Sequence, residues 1–228
     1  MTPVAVVTGG AGAIGGAIAH RLEKDGHTVV ILDRAAEIPC DLSSADEVRS
    51  AARRVLDDHG RCDVLVHSAA IFDRATLDQF DPDAYRRVHA VNVESLLLLA
   101  QAFVPGMRER GFGRIIAIAS NTFWSPPPGG DLLAYVMSKG AVIAATRVLA
   151  TTLGADGIAA MAVAPGLTRT PGTASNAEEE FAAVQSAQSL PRPLVPDDVA
   201  ETVGFLATPA AAALTGQTLI PDGGLVLT

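Results

Sequence analysis

The chain has 228 residues, which is enough for one sizeable domain with a continuous core and awkwardly short for two. Hydrophobic residues make up 49% and charged residues 18%, a composition that indicates a globular protein and argues against wholesale disorder. The formal net charge of −8 predicts repulsion from nucleic acids and anionic membranes, so neither is expected as a partner.

Short apolar runs alternate with longer helical patterns along almost the whole chain. The predicted strands are Val4–Thr8, Thr28–Leu32, a short strand ending at Cys40-Asp41-Leu42, Asp63–His67, Arg114–Ala119, Ala159–Ala164 and Thr218–Ile220. The predicted helices are Ile14–Lys24, Ala45–Asp58, Asp83–Arg110, Leu133–Leu153 and Asp197–Thr208. This alternation predicts a single α/β domain of the Rossmann type, doubly wound, with a mostly parallel seven-stranded sheet and helices on both faces.

Three features bound the organisation of the domain. Only a few residues separate Asp33 from the short third strand, so the usual crossover helix is predicted to be missing there or reduced to a turn. Residues 170–196 form a long segment framed by prolines, which we interpret as a substrate lid with a solvated acidic run at Glu178–Glu180. Cys40 and Cys62 are predicted to be buried thiols without metal spacing, and Leu96–Leu99 is too short to span a membrane. With no signal peptide visible, a cytoplasmic location is expected.

A glycine-rich turn follows the first predicted strand and opens the first predicted helix. Gly10, Gly12 and Gly15 satisfy the pattern G-x-G-x-x-G, which lets the backbone approach a pyrophosphate at a helix N-terminus. The motif alone is weak evidence, because glycine-rich turns are common. The residues predicted to hold the cofactor here are Gly9, Gly12, Ala13, Ile14 and Gly15.

Acidic residues after the second and third strands strengthen the cofactor prediction. Asp33 closes the second strand, where a carboxylate accepts hydrogen bonds from the adenosine ribose and repels the 2′-phosphate of NADP. Arg34 is counter-evidence, since an arginine nearby can hold that phosphate. NAD is therefore predicted over NADP. Asp41, followed by Leu42, is predicted to bond the adenine amino group, to cap the following helix, or to do both.

Tyr135 and Lys139 lie four residues apart on one face of a predicted helix. A phenol is a poor base at neutral pH, and a neighbouring ammonium lowers its pKa into the range of proton transfer. Ser120 follows a predicted strand at its carboxyl end, where open α/β sheets bind ligands. We therefore predict that Tyr135 is the acid/base and that the Ser120 hydroxyl holds the substrate oxygen beside it, although helix capping alone would also explain a serine there.

These features occur in the order typical of one family, and the chain resembles the short-chain dehydrogenases/reductases along essentially its whole length. The resemblance implies that Ser120 polarises the carbonyl, that Lys139 binds the nicotinamide ribose, and that Asn92 holds a water in a proton relay to Lys139. It also implies contacts to the nicotinamide and phosphates from Pro165, Gly166, Thr168 and Thr170. His67-Ser68-Ala69-Ala70 stands where the family usually has Asn-Asn-Ala-Gly, so Ser68, Ala69 and Ala70 are expected to line the adenosine ribose and His67 to be a hydrogen-bonded structural residue.

The substrate pocket is predicted less sharply than the cofactor site. Thr122, Phe123 and Trp124, together with Ser120 and Tyr135, are expected to line it, which favours a hydrophobic or aryl alcohol or ketone; alternatively, the two aromatic rings only pack the loop. The pattern most resembles the aryl and secondary-alcohol dehydrogenases of the family. A 3-oxoacyl-thioester reductase that uses a basic patch at Arg108, Arg110 and Arg114, and a non-catalytic NAD-binding protein, are the alternatives. Family analogy predicts a homotetramer or homodimer.

Overall fold

The computed structural model describes residues 2–174 and 176–227. Seven strands form one sheet in the order β3-β2-β1-β4-β5-β6-β7, and every pairing is parallel. The strands are β1 Val4–Thr8, β2 Thr28–Asp33, β3 Ile38–Pro39, β4 Val64–His67, β5 Gly113–Ile118, β6 Ile158–Val163 and β7 Thr218–Leu219. The predicted Rossmann-type architecture is confirmed, and only residues 34–37 connect β2 to β3.

Helices cover both faces of the sheet. They are α1 Ala13–Lys24, α2 Ala45–His59, α3 Pro82–His89, α4 Ser95–Arg110, α5 Leu133–Leu153, α6 Glu178–Ala187 and α7 Pro196–Leu206. Successive strand residues point to opposite faces, so Val6 joins one buried cluster with residues of α2, α4 and α5, whereas Val7 joins a second cluster with residues of α1 and α7. The sheet is therefore buried on both sides, which explains its continuously apolar strands.

The helix predicted over Asp83–Arg110 is present as one helical stretch, Pro82–Arg110. A π-helical turn at Ala90–Glu94 lies within it, between α3 and α4. The apolar periodicity does not reveal this inserted residue in the helical ladder, and such π-bulges occur frequently at functional sites. Asn92 lies within this turn and is fully buried.

The predicted lid is partly ordered rather than an irregular loop. It contains a 3₁₀ turn at Pro171–Thr173 and helix α6, whose first turn holds the acidic run Glu178–Glu180. Glu178 accepts two hydrogen bonds from the Arg169 guanidinium, at 2.8 and 2.9 Å. The acidic run is therefore an exposed helix start that is tied to the preceding segment.

Two helical stretches, Pro82–Arg110 and Leu133–Asp156, are long and apolar enough to cross a membrane by length and composition alone. Their buried residues, such as Leu96, Phe103 and Val142, belong to the core cluster against the sheet. A core helix of an α/β fold meets the same criterion, and we interpret both stretches in that way.

Candidate active site

A cleft of about 550 Å³ opens at the carboxyl ends of β1, β2 and β4. Most residues predicted to hold the cofactor line it: Gly9, Gly12, Ala13, Ile14, Gly15, Asp33, Arg34, Asp41, Leu42, Ser68, Ala69, Ala70 and Thr170. It is also lined by residues that the sequence analysis missed, namely Ala11, Cys40, Ser43, Ile71, Arg87, Val91, Pro171 and Gly172. Arg87 lies on α3 and carries no local motif, so nothing in the sequence pattern places it beside the glycine turn.

The glycine turn has the shape that a dinucleotide requires. A Cβ on Gly15 would lie 2.2 Å from the Gly9 carbonyl oxygen, so only glycine allows α1 to begin this close to β1. Gly9 has φ +69° and lies against the Ala69 backbone. Gly12 caps α1 without a side-chain hydrogen bond to the first turn, and the residues of that turn line the cleft. These residues therefore fit a pyrophosphate at the start of α1.

The adenosine end of the cleft is framed by two carboxylates. Asp33 ends β2, and its Oδ1 accepts a hydrogen bond from the Ala35 amide at 3.2 Å. Asp41 accepts hydrogen bonds from both the amide and the hydroxyl of Ser43, which lower the pKa of its carboxyl. The prediction that Asp41 caps the following helix is wrong: Ser44 is the N-cap of α2, and Asp41 instead orders the turn before it.

The segment after β4 is tied to the glycine turn by one hydroxyl. Thr8 Oγ1 accepts hydrogen bonds from the amides of Ser68 and Ala69, each at 3.1 Å. His67 Nε2 lies 2.7 Å from Ser95 Oγ, whose own proton goes to the Val91 carbonyl oxygen, so the histidine donates. Burial, together with the nearby Lys139 charge, lowers the pKa of His67 to about 3 and keeps the ring neutral. The predicted hydrogen-bonded, structural histidine agrees with this geometry.

Both cysteines are buried free thiols, as predicted. Burial raises the pKa of Cys40, which lines the cleft, to about 11. The thiol is therefore protonated at neutral pH and contributes an apolar contact to the cleft wall rather than a nucleophile.

Ser120, Tyr135 and Lys139 converge at the carboxyl end of β5. Ser120 follows β5, and its Oγ accepts a hydrogen bond from Thr122 Oγ1 at 2.9 Å. Tyr135 lies in the first turn of α5 within hydrogen-bonding reach of the Ser120 side chain. Lys139 Nζ lies 5.5 Å from the centre of the Tyr135 ring and donates to the Ile118 carbonyl oxygen at 2.6 Å.

The electrostatics of this trio differ from the expectation. Burial raises the pKa of Tyr135 to about 12, and the hydrogen bond with Ser120 opposes that rise. Burial also lowers the pKa of Lys139 to about 7. The pKa of Tyr135 is therefore above its ordinary value instead of below it as predicted, because desolvation of the phenol outweighs the hydrogen bond that stabilises the phenolate.

Asn92 holds two parts of the site together. Its Oδ1 accepts from the Ile71 amide at 2.7 Å, and its Nδ2 donates to the Ile71 carbonyl oxygen and to Ser138 Oγ. Ser138 in turn donates to the Tyr135 carbonyl oxygen. The side chain therefore joins the segment after β4 to the helix that carries Tyr135.

The segment predicted to wrap the nicotinamide is held from both sides. A Cβ on Gly166 would lie 2.8 Å from side-chain atoms of Asp222 and Leu194, and Thr168 is buried beside Leu194. Thr170 caps the 3₁₀ turn that reaches the cleft. Pro165, Gly166 and Thr168 are not among the residues lining the cleft, so their predicted cofactor contacts stay predictions.

Phe123 and Trp124 pack against neighbouring parts of the chain, and their predicted contact with a substrate stays a prediction. Phe123 packs within 3.0 Å of the position a Cβ would take on Gly140, and Trp124 packs against the core cluster. The aromatic ring in contact with Tyr135 is Phe72, with ring centroids 4.8 Å apart. No sequence motif marks Phe72, because the contact joins segments 63 positions apart along the chain.

The comparisons agree with this geometry. The family described as enoyl-(acyl carrier protein) reductase matches residues 9–226. The protein named "Probable galactose dehydrogenase GalD" of Rhizobium meliloti (strain 1021) is 33% identical, with 96% of this chain and 93% of that protein covered. The 7alpha-hydroxysteroid dehydrogenase of Bacteroides fragilis is 32% identical, with 98% and 94% covered.

A solved structure is also similar to the chain in fold and in sequence. This protein from Beutenbergia cavernae, assigned as an NAD(P)-dependent gluconate 5-dehydrogenase and solved with NADP at low occupancy, has a TM-score of 0.90 at 31% identity. The alignment covers 98% of this chain and 96% of that one. Fold, ordered motifs and relatives agree: the chain belongs to the short-chain dehydrogenase/reductase family, as an oxidoreductase that acts on alcohol or ketone substrates.

Proposed function

We propose that the chain is an NAD(H)-dependent oxidoreductase that interconverts a neutral secondary alcohol and its carbonyl compound, with Tyr135 as the acid/base. The proposal rests on one observation. Ser120, Tyr135 and Lys139 converge at the carboxyl ends of the strands, the same end of the sheet that holds the glycine turn. Open α/β sheets bind ligands at the carboxyl ends of their strands.

The residues divide the chemistry among them. When bound, the nicotinamide supplies or takes up the hydride at the substrate carbon. Thr122 donates to Ser120, which leaves the Ser120 proton free to point at Tyr135 or at a substrate oxygen. Because burial raises the pKa of Tyr135 to about 12, the phenol is protonated at neutral pH, which is the form that donates a proton to a carbonyl.

Oxidation of an alcohol requires the reverse proton transfer. The phenolate that accepts the proton is stabilised by the Ser120 hydrogen bond and by the Lys139 ammonium. Lys139 has a pKa of about 7, so it carries its proton only on the acidic side of neutrality unless an anionic partner is near. Asn92 contributes by holding Ser138 and Ile71 in place, and the proton relay implied by the family resemblance stays part of this proposal.

NAD is the proposed cofactor because of Asp33. Its carboxylate lies in the cleft at the end of β2, where it favours ribose hydroxyls and repels a 2′-phosphate. Arg34 also lines the cleft and is exposed, and the Beutenbergia cavernae protein was solved with NADP. Discrimination against NADP is therefore proposed to be moderate, since the arginine offsets part of the repulsion.

A hydrophobic, aryl or cyclic substrate is supported by the apolar rings near Tyr135, foremost Phe72. Galactose and hydroxysteroids, named for two relatives, are both ring compounds. Segment 170–196 is proposed as the lid over this substrate, since Thr170 and the residues after it reach the cofactor cleft.

An acyl-thioester reductase is the alternative that the description of the matching family favours. Its acidic carrier partner would need a basic docking patch on a chain of charge −8. The three arginines of the predicted patch are already engaged within the chain, which leaves little free positive charge for such a partner: Arg108 pairs with Asp156, Arg110 pairs with Asp63, and Arg114 is buried. This engagement of the three arginines favours a small alcohol or ketone.

Assembly into a homodimer or homotetramer is proposed with this function. Leu97 on α4 and Met137 and Val148 on α5 are 43%, 48% and 63% exposed, which leaves apolar surface for a second copy. A cytoplasmic location is proposed as well.

The proposal is tested by following reduced-nicotinamide absorbance with a panel of aryl, alicyclic and short aliphatic secondary alcohols, using NAD and NADP separately. Turnover of one alcohol class with NAD as the better cofactor is expected. Reduction of a 3-oxoacyl thioester with no turnover of any alcohol would replace the proposal with the alternative.

A further inference from the structure

Phe72 borders the candidate catalytic tyrosine and yet stays half exposed. Its ring meets the Tyr135 ring edge-on, with centroids 4.8 Å apart and planes at 64°. The side chain is 47% exposed, although burial of a phenylalanine is favourable by roughly 1.5–3 kcal/mol. An apolar ring left open beside a reacting group is the kind of surface that a ligand covers.

The backbone around Phe72 is held from both sides. Asn92 bonds the amide and the carbonyl oxygen of the preceding Ile71. Three residues after Phe72, the Ala75 amide donates to the Asp131 carbonyl oxygen at 2.7 Å, and Ala75 forms a bridge with Leu132. Leu132 is the N-cap of α5, so the segment that carries Phe72 is fixed to the helix that carries Tyr135.

Arg74 also contacts the Phe72 ring. Its guanidinium carbon lies 5.5 Å from the Phe72 centroid, within the range of a cation–π contact. The same guanidinium pairs with Asp131 Oδ2 at 2.5 Å and donates to Asn176 Oδ1 at 3.0 Å. Arg74 therefore joins the Phe72 segment, the start of α5 and the lid, and its charge is compensated by Asp131.

We propose that Phe72 is the specificity-determining residue for ring-bearing substrates, whose apolar ring packs on the exposed face of Phe72 while their carbinol carbon faces Tyr135. This inference rests on the proposed function and narrows its substrate class to uncharged rings, because Asp131 already neutralises Arg74, the cation in contact with the Phe72 ring. Arg74 is a positioning residue that sets the angle of the Phe72 ring.

The first test compares 1-phenylethanol with 2-butanol. Phe72→Ala is expected to lower kcat/KM for 1-phenylethanol about tenfold, since an aromatic contact and its buried area are lost, and to change that for 2-butanol less than about threefold. Phe72→Leu keeps an apolar contact, and its kcat/KM for 1-phenylethanol is expected to lie between those of the wild type and Phe72→Ala. Phe80→Ala is the matched control, because Phe80 is 46% exposed and also pairs with a tyrosine, Tyr85.

The second test does not depend on turnover. Calorimetric titration of acetophenone into the NAD-loaded protein is expected to show binding that Phe72→Ala weakens about tenfold and Phe80→Ala leaves unchanged. This loss without turnover of any alcohol by the wild type would support the inference and overturn the proposed function. The inference would be overturned if Phe72→Ala lowered kcat/KM equally for 1-phenylethanol and 2-butanol, or if the wild type did not bind acetophenone. In either case, measured turnover of an alcohol would still uphold the proposed function.

The role of Arg74 is tested through the ratio of kcat/KM for 1-phenylethanol to that for 2-butanol. Arg74→Met is expected to lower the phenyl-to-butyl ratio of kcat/KM by about threefold, since the cation–π contact that orients Phe72 is lost. Arg86→Met removes a comparable exposed arginine pair, that with Asp83, and is expected to leave the ratio unchanged. An unchanged ratio in Arg74→Met would remove the positioning role from the inference.

Discussion

Replacing Lys139 by Met is expected to flatten the pH dependence of stability. Lys139 is 2% exposed, and burial lowers its pKa from 10.5 to about 7. The unfolded chain therefore binds more protons than the folded protein between these pH values, so the wild type gains stability as pH rises. At about 1.4 kcal/mol per pKa unit, the full effect is about 5 kcal/mol, of which about 3 kcal/mol falls between about pH 6 and about pH 9.

Urea unfolding of the wild type and of Lys139→Met across this pH range measures the effect, since titrating groups that Lys139 does not influence cancel in the difference. His67, whose pKa of about 3 depends in part on the Lys139 charge, titrates below this range in the wild type. Loss of the hydrogen bond to Ile118 adds an offset that does not vary with pH. Lys24, the chain's other lysine, is exposed, and Lys24→Met is the matched control. A wild-type-minus-mutant difference that stays flat from about pH 6 to about pH 9 would refute the reasoning from burial.

The remaining predictions concern the cofactor cleft. Gly15→Ala places a Cβ 2.2 Å from the Gly9 carbonyl oxygen, so a loss of about 1–3 kcal/mol in unfolding free energy and weaker NAD binding are expected. In Gly154→Ala a Cβ meets nothing within 4 Å, so this variant is the control and its NAD affinity is expected to be unchanged. Equal losses of NAD affinity in both variants would contradict the role of the glycine turn in cofactor binding. Asp33→Ala is expected to raise the Kd for NAD about tenfold and to leave that for NADP within about threefold, because the carboxylate acts on the ribose hydroxyls. Calorimetry with the exposed Asp57→Ala as control checks this, and a parallel loss of both cofactors would contradict the ribose assignment.

Much of the fold and of the cofactor cleft was predictable from local sequence. Glycines between a strand and a helix have a steric requirement that holds wherever the chain folds, as the contact between Gly15 and Gly9 illustrates. Apolar strands and helical periodicity likewise report burial on both faces of a sheet. The short connection from Asp33 to β3 was readable because too few residues remain there for a helix.

The substrate side was not predictable in the same way. The place of Phe72 depends on contacts of Asn92 and Arg74 with segments far apart in sequence, and no local pattern reports them. Asp41 and Ser44 lie three residues apart, and both residue types can cap a helix. Which of them caps α2 depends on the turn between them, and the structure has Ser44 in that role. The pKa of Tyr135 depends on how much water the packed site excludes, which residue spacing does not reveal.

The central claim, that Tyr135 exchanges the substrate proton, is tested most directly by Tyr135→Phe with turnover and NAD affinity measured on the same preparation. We expect kcat to fall by about a hundredfold or more, while the Kd for NAD stays within about threefold. Tyr85→Phe, at the chain's only other tyrosine, is expected to retain activity. A Tyr135→Phe protein that keeps a large share of wild-type turnover would contradict the claim.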